Sequence, residues 1–440
     1  VKLSDLIYQV LTESREDLMP LEVQDLVRNH CSYRSYLKAI GEEQNQRADS
    51  PEAILLHDAA NNFRKIFIRW LQGAYKSEYR LPEETWAEGL VLVRHEGRIN
   101  GVPVFLETVP ARQFQSGAVP ERVQHVIAAR SFLLNSDTAY VVMLDQNTQG
   151  WQAWTMTGDF SQVGALIQQD AAYVKQTLQG DSVEIGLSKY CSTCPYEDVC
   201  DVEKVTESGH FPRVRYSLTL DGGMVGALEK YLWSLNNNKN RRKTKVIHPS
   251  EITTSKCDRK IAYGLLGIEE QKTIEPKLRR IFDMGHAFHD LIQMALKYKM
   301  EDAVELEAAC AHDHLKIFGR CDLSLPDAAG EIKTISYKGF DKLRKQSTAH
   351  EDQNTIYATA LDKGWLIFLY VNKDTGEIKE FRTKVSRARW HKLATRASRI
   401  VRAVSEDTLP EKINKAYICN PCKYRWYCKP EVTGNARRKF

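Results

Sequence analysis

IFGRCDLSLPDAAGEIKTIS, residues 317–336, reads as a strand ending at an aspartate, a turn containing Pro and Gly, and a second strand. Side chains alternate faces along a strand, so Glu331 and Lys333 share one face and can converge with Asp322 from the neighbouring strand. Two carboxylates are hard oxygen ligands suited to Mg2+ or Mn2+, and a nearby ammonium can orient a water or neutralise a phosphate. Asp-x8-Glu-x-Lys is also what a solvated, charged hairpin presents, and the stretch alone does not separate the two.

The surroundings add to it. DMGHAFHDLIQMALKYK, 283–299, has helical periodicity, with Gly285 and His289 four apart on one face. A histidine there can approach a site over which backbone packs closely; an ordinary surface histidine fits the same spacing. Gln353 and Tyr357 of QNTIY are again i, i+4 on a predicted helix, placed to reach a site or a DNA backbone, or simply to line an amphipathic helix. WLIFLYV, 365–371, is too short to span a bilayer, and its β-branched and aromatic residues suit a buried strand.

The chain repeats itself. CSTCPYEDVC (191–200) and CNPCKYRWYC (419–428) are both Cys-x2-Cys-x5-Cys, so Cys191, Cys194 and Cys200 lie over Cys419, Cys422 and Cys428. Upstream, Cys31 and Cys257 each stand ten residues before a glycine, Gly41 and Gly267. AYVVMLDQNTQGWQAW matches IFLYVNKDTGEIKEF as strand, turn and strand, and ERVQHVIAARSFLL matches HEDQNTIYATAL with Gln124 over Gln353. Ordered matches near one offset imply duplication. The expected organisation is a first domain over 1–205, a connector over 206–247 with a helix near 224–235, and a second domain over 248–440.

At 440 residues and 42% hydrophobic, the chain is long enough for two or three cores. Ten cysteines at short spacings, without an apolar leader, read as metal ligands in a reducing, cytoplasmic compartment, with no membrane role. A net charge of +5 is too mild to establish a nucleic-acid partner, although NNNKNRRKTK, 236–245, carries five basic residues and no acid. No G-x4-GK[ST] occurs, so an ATP-driven motor would be a separate chain. Four thiolates suit tetrahedral Zn2+ as well as an iron-sulfur cluster, and spacing does not choose. Cys310 and Cys321 fall outside the quartets and read as small buried hydrophobes.

The order Cys257, Gly285-x3-His289, Gly319 and Asp322, Glu331-x-Lys333, Gln353-x3-Tyr357, then Cys419, Cys422 and Cys428 resembles the iron-sulfur branch of the RecB-like PD-(D/E)XK nucleases. This branch includes the CRISPR-associated adaptation exonucleases and the nuclease domain of AddB. The resemblance covers essentially all of the second copy. It implies an α/β, restriction-endonuclease-like fold in each of two tandem domains, a mixed sheet flanked by helices and closed by a four-cysteine cluster. It further implies metal held by His289, Asp322 and Glu331, Lys333 as catalytic helper, and Gln353 with Tyr357 positioning substrate. Two [4Fe-4S] clusters follow, one on Cys31, Cys191, Cys194 and Cys200 and one on Cys257, Cys419, Cys422 and Cys428, with Zn2+ as the alternative. The expected activity is Mg2+- or Mn2+-dependent hydrolysis of DNA with single-stranded character, exonucleolytic before endonucleolytic. A helicase or recombination protein is a candidate partner; a non-cutting DNA-binding scaffold is the rival reading.

Carried onto the first copy by the match of Gly101 with Gly319 and by the cysteine offset, the catalytic positions are lost. Val104 in INGVPVFLETVP stands for Asp322, Phe63 for His289 and Ala128 for Tyr357, with no ExK and Glu107 the sole acid between 101 and 120. His57 is near enough to Phe63 for a local gap to restore it. The first copy is expected to be a pseudo-nuclease that keeps its fold and its cysteines.

Overall fold

The structure, a computed structural model, describes residues 2–7, 21–22, 50–83, 85–87, 91–109, 114, 117–145, 150–178, 216–235, 245–270 and 274–429. In chain order the strands are β1 (Leu21–Glu22), β2 (Tyr79–Arg80), β3 (Thr85–Ala87), β4 (Val91–Val93), β5 (Arg98–Ile99), β6 (Val102–Val109), β7 (Thr138–Asp145), β8 (Trp151–Thr157) and β9 (Ser217–Leu220). The second half adds β10 (Glu305–His312), β11 (Ile317–Ser324), β12 (Ala328–Ile335), β13 (Trp365–Asn372) and β14 (Ile378–Lys384). The helices used below are α1 (Pro51–Tyr75), α2 (Glu121–Leu133), α3 (Ser161–Leu178), α4 (Gly222–Ser234), α5 (Pro249–Thr254), α6 (Asp258–Leu266), α7 (Pro276–Met300), α8 (Tyr337–Lys342), α9 (Thr348–Ala360), α10 (Arg387–Ser405), α11 (Ala416–Cys419) and α12 (Arg425–Cys428).

Two mixed sheets carry the fold, in the orders β2-β5-β6-β7-β8-β9 and β10-β11-β12-β13-β14, beside a small sheet of β1, β4 and β3. In each large sheet one strand pair is parallel, β6 with β7 and β12 with β13, and the crossover between them is a helix of 13 residues, α2 or α9. A parallel pair requires such a crossover. β8 and β14 pair antiparallel with β7 and β13, each beginning six residues after its partner ends.

The recurrence has a register. Phe105 of β6 pairs with Val141, the fourth residue of β7, as Glu331 of β12 pairs with Phe368, the fourth residue of β13. Thus β6 occupies the place of the ExK strand, not that of the Asp322 strand as the match of Gly101 with Gly319 suggested. The turns explain the slip: Asn100 and Gly101, both at positive φ, close β5 to β6 in two residues, whereas Leu325, Pro326 and Asp327 separate β11 from β12.

The cores are not divided as the expected domain boundaries are. α1 and α7, each of 25 residues with a proline first, lie against one another, and one continuous apolar cluster takes Phe63, Phe67, Trp70 and Leu71 from α1, Phe288, Leu291 and Ile292 from α7, and residues of both sheets. Each large side chain fully buried there contributes on the order of 1.5–3 kcal/mol. Within the cluster Trp151 meets the edge of Trp70 at 5.9 Å and carries the buried Arg280 guanidinium 4.3 Å from its ring centre. The expected connector is part of this packing: β9 extends the first sheet, and α4, capped by the Asp221 side chain on Met224 N at 2.9 Å, buries Met224, Leu228 and Leu232. Residues 236–244 lie outside the described residues. No helix among the described residues is long and apolar enough to cross a membrane.

Candidate active site

The hairpin that opens the reading forms as β11 and β12, and β13 is the buried strand expected of WLIFLYV. Cys310 and Cys321 are buried in β10 and β11, as their apolar neighbours suggested. α7 approaches β12 closely, since a Cβ on Gly285 would come within 3.3 Å of Thr334 Oγ1. Gly319 is tighter: a Cβ there would sit 2.8 Å from Pro249 Cδ and 3.0 Å from Tyr357 Cε1.

Six sequence-selected residues come together between α7, β11, β12 and α9. His289 Nδ1 lies 3.8 Å from Asp322 Oδ2. The same carboxylate oxygen accepts from Ile332 N at 2.8 Å, tying β11 to β12 where no ladder pairing holds them. Glu331 is 1% exposed; its Oε1 accepts from Lys333 Nζ and from Gln353 Nε2 at 2.9 Å. Gln353 Nε2 also reaches the Tyr357 hydroxyl at 3.2 Å, so the i, i+4 pair on α9 forms as spaced.

Burial penalises every charge here. It raises the Glu331 carboxyl to about 8, Asp322 adding to the rise and Lys333 opposing it. Asp322 is likewise raised by burial against the pull of Lys333 and the Ile332 N–H. Burial draws the Lys333 ammonium down, but Glu331 and Asp322 outweigh it, and the group stays charged above its ordinary value. Burial and the Lys333 charge press His289 down to about 4, leaving a neutral imidazole with a free lone pair. Tyr357 is raised by burial and by Glu331, and keeps its proton.

Among the described residues, no three His, Cys, Asp or Glu side chains surround a common point as a ready-made metal site. The donors nevertheless fit a divalent cation in two respects. Glu331 Oε2 is buried without a hydrogen-bond partner, a costly arrangement unless something positive meets it. Two buried acids also share one ammonium, which is why burial and Asp322 push the Glu331 carboxyl up; a divalent cation would favour its ionised form.

Two neighbours, Glu307 and His350, were not singled out from the sequence. Glu307 of β10 accepts from Gln293 Nε2 at 2.9 Å, and its charge acts on both His289 and Glu331. His350 stands three residues before Gln353 on α9, and its Nδ1 lies 2.8 Å from the hydroxyl of Tyr370, the β13 partner of Lys333. Helical spacing from Gln353 was the one available pointer to His350.

At the far edge of the half, the tail returns to the start. Lys423 Nζ bonds Glu251 at 3.1 Å and Glu270 at 2.5 Å, the Tyr424 hydroxyl donates to Glu270 at 3.0 Å, and Trp426 Nε1 donates to Glu269 O at 3.3 Å. Tyr263 packs edge-on against both Tyr424 and Tyr427. Tyr424 is fully buried, so it packs, whereas Trp426 and Tyr427 remain exposed. Cys257 begins α6, and burial and then the nearby Cys422 and Cys428 raise its thiol pKa. Cys419 is buried at the end of α11. Cys31, Cys191, Cys194 and Cys200 lie outside the described residues, so the structure says nothing of the first quartet.

The first half holds a related arrangement. Arg64 is the fourteenth residue of α1, as His289 is of α7. Its Nη1 bonds Glu96 Oε1 at 2.8 Å and its Nη2 donates to Leu106 O at 3.0 Å. Glu96 Oε2 in turn accepts from Leu106 N at 2.7 Å, the bond Asp322 makes to Ile332. Phe105 and Glu107 hold the register places of Glu331 and Lys333, and Arg130 and Val126 those of Tyr357 and Gln353. Arg130 Nη1 bonds Glu107 at 3.2 Å. Of the assignments made from the sequence, Phe63 lies one residue from Arg64 and Ala128 two from Arg130, while Val104 lies eight from Glu96, the acid that makes the bond Asp322 makes; the His57 side chain is outside the described set.

Residues 298–429 match the family model of the PD-(D/E)XK nuclease superfamily. The match takes in Asp322, Glu331, Lys333, Gln353 and Tyr357, and begins after His289 and Cys257. Among solved structures, the chain is similar to SSO0001 at 16% identity over 48% of this chain and 98% of that one, with a TM-score of 0.31. It is similar to an alkaline exonuclease, LHK-Exo, from Laribacter hongkongensis at 11% identity over 40% and 93%, TM-score 0.32. LHK-Exo in complex with dAMP gives 13% identity over 39% and 93%, TM-score 0.31. No curated protein matches the chain.

Proposed function

We propose that the chain is a metal-dependent deoxyribonuclease with its cutting centre at His289, Asp322, Glu331 and Lys333. The observation that carries the reading is Glu331: a buried carboxylate bonded to Lys333 on one oxygen and unpartnered on the other, beside a second acid. His289, Asp322 and Glu331 would hold Mg2+ or Mn2+. Bound there, such an ion lowers the pKa of a water and neutralises charge on a phosphate.

The chain's own groups do the rest. Lys333 stays protonated and offers N–H donors to the attacked phosphate or to the attacking water. His289 stays neutral, so its lone pair is available as a ligand. Gln353 fixes the Glu331 rotamer through Oε1, and Tyr357 retains a hydroxyl proton for the substrate side. DNA with single-stranded character, attacked from an end, is the substrate we infer, with the exposed Trp426 and Tyr427 as base-stacking surfaces.

In this reading residues 1–205 and 248–440 descend from one domain, the first having lost its catalysis. Cys257, Cys419, Cys422 and Cys428 would hold a [4Fe-4S] cluster, or Zn2+, that closes a long loop of chain. Such a closure removes unfolded-state entropy on the order of several kcal/mol. Purification without oxygen, iron analysis and the visible spectrum test the cofactor. End-labelled single- and double-stranded DNA with Mg2+, Mn2+ or chelator tests the activity. Cleavage is expected only with metal and is expected to vanish in Asp322→Ala; cutting that survives chelator or that variant removes the assignment.

A further inference from the structure

We propose that the Arg64 guanidinium occupies, in the first half, the position a divalent cation takes in the second, making the first half a replica of the cutting centre locked by a built-in cation. The inference rests on the reading of His289, Asp322 and Glu331 as metal ligands.

Four placements lead to it. Arg64 and His289 are the same residue of matching 25-residue helices. Glu96 and Asp322 each point a carboxylate oxygen at the N–H of the same residue of the third strand, Leu106 or Ile332, at 2.7 and 2.8 Å. Arg64 spans this carboxylate and the Leu106 carbonyl, its two nitrogens placing positive charge between a side-chain oxygen and a main-chain oxygen. The second acid is gone, Phe105 standing fully buried in the register place of Glu331.

The charge balance agrees. In the second half two acids, Asp322 and Glu331, lie beside the one ammonium of Lys333, and Glu331 Oε2 is left without a hydrogen-bond partner. In the first half, among the described residues, Arg64 pairs with Glu96 and Arg130 with Glu107. Arginine suits the post because it cannot deprotonate and its planar fork meets a carboxylate in fixed geometry. Glu96 is 3% exposed on its side chain, so a partner of this kind is what keeps its charge tolerable. The first half therefore keeps its fold whether or not metal is present, and each chain has one cutting centre.

Counting bound Mn2+ by electron paramagnetic resonance, without DNA, tests this apart from activity. The wild-type chain is expected to bind one ion, Asp322→Asn none, and Asp322→Asn carrying Arg64→His and Phe105→Glu one again. Two ions on the wild type with one left in Asp322→Asn would overturn the inference while leaving the proposed function standing. No ion on the wild type would instead remove the reading on which it rests. A folded triple variant that binds nothing also overturns it. Should that variant fail to fold by circular dichroism, the thermal midpoint of Asp322→Asn decides: it is expected to ignore added Mn2+, and a rise of several degrees counts against the lock.

Discussion

Lys333 is the residue whose loss separates binding from chemistry. Its ammonium touches Glu331 and faces the site, so Lys333→Met removes charge stabilisation realised in the transition state. The expected result is a fall in kcat of roughly 10²–10³-fold with KM little changed; a kcat within a few-fold of wild type would assign Lys333 to structure. His350 gives a pH test. Burial and the Lys333 charge lower its pKa from 6.5 to about 4, so the folded chain keeps it neutral where the unfolded chain takes up a proton. Its contribution is complete above about 6.5 and is lost as pH falls toward 4. Denaturant midpoints at pH 7 and pH 5 are expected to differ less in His350→Gln than in wild type, and an equal drop in both would exclude this linkage. At this scale the sequence was most readable where the site is local. Asp322, Glu331 and Lys333 lie within one hairpin, and His289 announces itself by helical spacing. Arg64 and Glu96 were not legible because their meeting depends on a strand register that the two-residue turn at Asn100 and Gly101 shifts.

The elements between the two sheets show how a correct local reading can miss its role. The apolar period of MVGALEKYLWSL predicts α4, and the helix forms. Polar, basic residues follow it, and composition alone made the whole stretch a linker. Its buried Leu228 and Leu232 and the pairing of β9 with β8 instead make it a wall of the shared core. Leu228→Ala is expected to cost about 2–5 kcal/mol, as for other fully buried leucines, measured as a shift in the urea midpoint at unchanged slope. A linker helix would lose only a few tenths. The crossovers α2 and α9 were legible from the pattern of strand, helix and strand, because a parallel pair leaves no other short connection.

The shared core also sets how the whole chain unfolds. Two large sheets and two cysteine patterns suggest two melting units, but α1 and α7 bury their apolar faces against one another in a cluster fed by both sheets. Tryptophan fluorescence, from eight tryptophans that include Trp70 and Trp151 of the shared core, and far-ultraviolet circular dichroism are therefore expected to give coincident urea transitions. Two resolved midpoints would mean that the halves stand alone. The repeated sequence patterns anticipated the strand, helix and strand order in each half, whereas the packing between halves is set by helix faces whose partner no local pattern names. One contact fixes that arrangement at close range. Gly376, at φ +77 in the turn from β13 to β14, lies so near the first turn of α1 that a Cβ would stand 2.2 Å from Glu52 O. A hairpin tip is ordinarily the safest place to graft an epitope or split a chain for permutation. Here that tip is a keystone, and an engineer seeking an insertion point must leave it untouched.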